Sequence, residues 1–148
     1  MSRILTPRIA AVMLVLLGVA IVCLTTWPFD FQLDGPAIGR KWESVEWDLF
    51  YRGPSGEVTV DLDLLLNVLL FFPLGVTFVL SGRRRRFWRE AIGALAIGLG
   101  LSIFIEGLQL LTPERVSQLA DVWRNALGAA LGGVAAALLR SRLIGPDR

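Results

Sequence analysis

The apolar residues of this chain fall into four long blocks separated by polar, Gly- and Pro-rich segments, with none of the dispersed spacing of a water-soluble core. The blocks cover about residues 9–27, 62–80, 91–111 and 122–139. Each is close to the roughly 20 residues that an α-helix needs to cross the hydrocarbon of a bilayer. The pattern predicts an all-α membrane protein of four transmembrane helices forming a single domain over residues 1–148. The first block has a basic start, as a signal peptide would. Its apolar run is long for that role and no small-residue cleavage site follows, while Trp27 and Pro28 read as an interfacial anchor and a stop. The expectation is a retained helix.

Charge fixes the expected orientation. The loop at 28–60 is net acidic, with Asp30, Asp34, Glu43, Glu46, Asp48 and Glu57 against Arg40, Lys41 and Arg52. The loop at 81–90 holds Arg83, Arg84, Arg85, Arg86 and Arg89 against Glu90 alone, and both chain ends are basic. Basic segments stay on the cytoplasmic side. Four spans alternate these segments without conflict, so both termini are expected inside and the acidic loop outside. Within that loop, the spacing of Trp42, Val45 and Leu49 predicts a short interfacial helix over 41–52.

Against this apolar background the polar positions need explaining. Glu106 and Gln109 lie near the end of the third block and share neighbouring parts of a helix face. Asp61 and Asp63 open the second block, with Asn67 one turn deeper than Asp63; Asp121 opens the fourth, with Asn125 one turn deeper. Arg115 sits in the connection at 112–121. The predicted topology brings all of these to the outer face. The recurrence of Asp63-x3-Asn67-x-Leu69 as Asp121-x3-Asn125-x-Leu127 hints at a repeated hairpin. An ionisable residue within a span is costly enough to point to function by default.

Composition narrows the chemistry. The net charge of +2 does not indicate nucleic acid, because the basic residues flank apolar spans and form no basic face. Histidine is absent and Cys23 is alone in the first span, expected there as a small buried apolar residue. Acid–base work therefore falls to Asp or Glu. Glu106, Asp121 and Asp63 are the candidate catalytic carboxylates; Arg115, Asn67, Asn125 and Gln109 are the candidate binding residues. In one arrangement Arg115 clamps a phosphate or carboxylate while Glu106 acts as general acid or base. In another, Asp63, Asp121 and Glu106 hold Mg²⁺ or Ca²⁺, which take oxygen ligands; otherwise no cofactor is implied. The aliphatic surroundings favour a membrane lipid or lipid-linked precursor as partner. Two further classes stay open. The polar residues could be cross-helix ties in a structural or partner-binding subunit with no catalytic activity, where Gly128 and Gly132 would serve close helix contact within or between chains. A small transporter would want polar residues across the whole width, and the inner halves of the blocks are nearly devoid of them.

Asp63, Asn67, Phe71, Pro73 and Gly75, then Glu106 and Gln109, then Pro113 and Arg115, and finally Asp121, Asn125, Gly128 and Gly132 occur in an order that resembles the VanZ-like family of small bacterial integral membrane proteins. The resemblance runs over about residues 27–139. It implies a multi-pass protein of the bacterial cytoplasmic membrane, a role in the cell envelope at the outer face, and a link to glycopeptide antibiotic resistance.

Overall fold

The computed structural model describes residues 6–48, 62–82 and 86–144, with the side chains of the last two excepted. Five helices follow one another: α1 (Pro7–Thr26), α2 (Gly35–Glu43), α3 (Leu62–Ser81), α4 (Phe87–Gln109) and α5 (Leu119–Ile144). Four of them, all but α2, are long and apolar enough to cross a membrane. The all-α, four-span architecture is therefore as the apolar blocks predict. Asp61, the arginines at 83–85 and the segment at 49–60 lie outside the described residues.

A short helix is present in this loop, but it lies earlier in the chain than expected. It occupies Gly35–Glu43, where the sequence pattern placed it over 41–52. Local chemistry explains the shift. Asp34 is the N-cap and its carboxylate accepts the Ala37 N–H at 2.8 Å, Pro36 sits at the helix start, and Arg40 and Lys41 fall in the last turn against the dipole. The apolar spacing of Trp42, Val45 and Leu49 carried no such start signal. Residues after Ser44 run irregularly and pair with the α4–α5 connection: the Glu46 N–H donates to Ser117 O (3.1 Å) and the Leu119 N–H to Glu46 O (2.9 Å).

α5 is the central element. Half of its spanning window is buried inside the protein, against 17–28% for the other three. It packs on α3 and α4, and α1 lies on the α3/α4 side without touching α5. Ile21, Phe71, Leu74, Ile105 and Ala129 meet in one cluster that draws on all four spans. The approach of α3 and α5 depends on residues without a Cβ. A Cβ on Gly128 would fall 2.9 Å from the Val68 Cα, and one on Gly132 would fall 2.9 Å from the Phe72 carbonyl carbon. From the opposite side, a Cβ on Gly75 would fall 2.8 Å from the Gly133 nitrogen. The Gly–Ala stripe of α5 is thus used inside the chain, as expected of small residues where helices pack in lipid without a hydrophobic driving force. Pro73 sits within α3 without ending it, and the Thr77 hydroxyl donates to the Pro73 carbonyl at 2.8 Å. Cys23 differs from expectation: it is exposed on α1, on a helix whose apolar surface faces outward.

Candidate functional site

The ends of α3, α4 and α5 that carry the expected polar residues do meet at one end of the bundle. Asn67 of α3 donates through Nδ2 to Asp121 Oδ1 of α5 at 2.8 Å. Arg124 Nη1 reaches the same oxygen at 3.3 Å. Asp63 is exposed at the start of α3, near enough for its charge to act on Asp121. One turn deeper, Asn125 Nδ2 donates to Ser102 Oγ of α4 at 2.9 Å. Glu106 Oε2 accepts the Gln118 backbone N–H at 3.0 Å, which ties the last turn of α4 to the start of α5. Ser117 Oγ also donates to the Glu106 carbonyl at 3.2 Å. A carboxylate caps this connection, because the orphan amides of the incoming α5 need acceptors.

Other expected members lie elsewhere. Gln109 Nε2 points to the Thr25 carbonyl at 3.3 Å, so it joins α4 to the end of α1 and does not share a site with Glu106. Three residues along a helix advance by about 300°, and here that offset places the two side chains against different neighbours. Arg115 is exposed, and its Nη2 donates to the Trp27 carbonyl at 3.2 Å. Its own carbonyl accepts from the Lys41 ammonium. The Asp63–Asn67 and Asp121–Asn125 pairs do not form a symmetric cross-pairing, since Asn67 bonds Asp121 while Asn125 bonds Ser102.

Arg124 was not singled out from the sequence. It is only 3% exposed, stands over the Trp123 ring with 5.9 Å to the centroid, and pairs with Asp121. A charged residue inside the fourth block was the available signal, masked by the small-residue run that follows it. Its Nε and the Asn125 Oδ1 are buried and have no hydrogen-bond partner among the described residues.

Two clefts flank Leu110 at this end of the bundle. The first, about 270 Å³, lies between α4, the start of α5 and the chain after α2. Ile103, Val122 and Val45 give it apolar walls, Trp42 and Trp47 stand at its side, and Glu106 is its one charged residue. Glu106 Oε1 takes no protein donor among the described residues. The second, about 370 Å³, lies between α2 and the α4–α5 connection, and its charged lining residues are Arg40 and Lys41. Arg115 lines neither cleft but holds the Lys41 ammonium through its carbonyl. Among the described residues no group of three or more Asp, Glu or Cys could hold a metal ion, so no metal enters the reading below.

A family model described as VanZ/LLP1 matches residues 12–140, which span all four long helices and both clefts. The chain belongs to the VanZ/LLP1 family. The resemblance carried by the Asp–Asn, Glu–Gln and Asp–Asn motifs is therefore correct, and the match extends beyond those motifs into α1. No curated protein and no solved structure matches the chain.

Proposed function

We propose that this chain is a binding protein for a lipid or lipid-linked envelope precursor in the outer leaflet of the bacterial cytoplasmic membrane. The observation that carries this reading is the Glu106 cleft. A single carboxylate with a free oxygen borders an apolar cavity, and the cavity opens beside Ile103, 55% exposed on a membrane-spanning helix. A volume of about 270 Å³ is below the roughly 300–1,000 Å³ of a pocket that encloses a whole small molecule. It suits one part of an amphiphile whose remainder stays in the bilayer. The ligand's chain lies along Ile103 and Val122, and its polar part reaches Glu106. Arg40 and Lys41, with Arg115 positioning Lys41, form the cationic side for any phosphate the ligand carries. Both termini are cytoplasmic in this reading, because the basic segments then lie inside. The role is in the cell envelope, with glycopeptide resistance as the phenotype to assay.

The test is native mass measurement of the full chain extracted in mild detergent. Glu106→Gln keeps an acceptor for the Gln118 N–H, so folding is expected to be preserved. It removes the charge offered to the ligand, and lipid retention is expected to fall about tenfold, the equivalent of about 1.4 kcal/mol. Ile103→Trp, which fills the mouth of the cleft, is expected to displace the lipid as well. Unchanged retention in both variants would end the lipid reading.

A second reading has its own support. Asn67–Asp121, Asn125–Ser102 and Gln109–Thr25 each join two different spans. Such bonds contribute about 0.6–2 kcal/mol each in membranes. A structural or partner-binding subunit would need nothing more. It predicts that Asn125→Ala and Glu106→Gln lower thermal stability alike, whereas the lipid reading separates them.

A further inference from the structure

Trp42 and Trp47 stand at the Glu106 cleft with ring centroids 5.3 Å apart and ring planes at 70°. Both are 56% exposed. The two rings pack edge to face against each other, and both line the cleft. Glu106 is the one charged residue that lines the cleft. Glu106 Oε1 remains without a protein donor among the described residues. A purely apolar chain would gain nothing from an adjacent carboxylate and would desolvate it. An anionic group would be repelled. An ammonium cation suits both an exposed indole face and the carboxylate.

Resting on the lipid reading above, we propose that the Trp42–Trp47–Glu106 cleft recognises an ammonium group on the ligand's head. An exposed indole face supplies cation–π attraction, and Glu106 supplies the counter-charge. Trp42 comes from the last turn of α2 and Trp47 from the segment paired with the α4–α5 connection, so the Glu46–Ser117 and Leu119–Glu46 backbone bonds hold the aromatic pair beside Glu106. The displaced position of α2 is what brings Trp42 to this cleft.

The experiment uses the full chain in detergent with two kinds of probe. In the lipid arm, equimolar phosphatidylethanolamine and phosphatidylglycerol compete, and bound lipid is read by native mass measurement. Wild type is expected to favour the ammonium-bearing lipid by about tenfold. Trp47→Leu and Glu106→Gln are each expected to bring the ratio close to one, while Trp47→Phe keeps most of it. In the free-cation arm, tetramethylammonium chloride is compared with sodium chloride at equal ionic strength. It is expected to raise the melting temperature of wild type and of Trp47→Phe, and to leave Trp47→Leu unmoved. Lipid retained with no headgroup preference, together with no tetramethylammonium effect, overturns the ammonium proposal and leaves the lipid reading standing. A tetramethylammonium effect with no lipid retained upholds ammonium recognition and removes the lipid reading.

Discussion

Gly132→Val is expected to leave almost no folded protein. Even the first carbon of the new side chain would meet the Phe72 backbone of α3, 2.9 Å from its carbonyl carbon and 3.2 Å from its Cα. A flexible side chain can move aside, but a helix backbone cannot do so without separating α3 from α5. Overpacking a well-packed interior costs about 1–3 kcal/mol, and more where no rotamer relieves it. The interface concerned is the main one in the molecule, with Gly75, Gly128 and Gly132 all in backbone contact across it. A loss above about 3 kcal/mol is a large part of the 5–15 kcal/mol that holds a domain folded. The matching control is Gly100→Ala. Nothing lies within 4 Å of a Cβ at that position, and alanine is the better helix former by up to about 1 kcal/mol. Size-exclusion profiles after detergent extraction should show a monodisperse peak for Gly100→Ala and an aggregated or absent one for Gly132→Val. Equal peaks would mean that α3 and α5 do not meet as described.

Removing one partner of the ion pair at the opposite end of the bundle should cost nearly as much. Arg140 Nη1 lies 3.0 Å from Glu90 Oε1, with the two side chains 10% and 7% exposed, and Nη2 donates to the Val79 carbonyl. One residue on α5 therefore holds the ends of both α3 and α4. Arg140→Met would leave the Glu90 carboxylate buried without this counter-ion. Breaking a buried pair in this way costs about 3–5 kcal/mol, whereas replacing both partners by apolar residues is often neutral. Thermal melts in detergent should show a large drop for Arg140→Met and substantial recovery in Glu90→Leu/Arg140→Met. The coupling between the two sites is the quantity to extract from that cycle. Additive losses would show that the pair contributes little.

The spans were legible because lipid demands long apolar helices and leaves few other ways to satisfy the backbone. The polar residues at the ends of the second, third and fourth blocks were legible for the same reason, since each is an exception to that demand. Their pairings were not. Asn67 and Asn125 occupy matching positions in similar motifs, yet one bonds Asp121 and the other Ser102. The choice depends on how α5 rotates against α3 and α4, which the glycine contacts determine and a single-helix pattern does not encode. Gln109 shares a helix with Glu106 but turns to α1. The burial of Arg124 arises from packing that no local spacing reveals. α2 was misplaced because apolar spacing outweighed the Asp34–Gly35–Pro36 start signal, which was plain in the sequence. Trp47 joins Trp42 at the Glu106 cleft because the helix ends at Glu43.

The central claim is that Glu106, Asp121 and both clefts face the outside of the cell, and side-specific labelling tests it most directly. In a Cys23→Ala background, single cysteines would be placed at Glu114, exposed in the α4–α5 connection beside the clefts, and at Arg86, exposed at the start of α4. Intact cells would be treated with a membrane-impermeant maleimide. The account predicts that Glu114→Cys reacts without lysis and that Arg86→Cys reacts only after the membrane is opened. Labelling of Arg86→Cys in intact cells, with Glu114→Cys protected until lysis, would put the carboxylate and its clefts in the cytoplasm and contradict the account at its base.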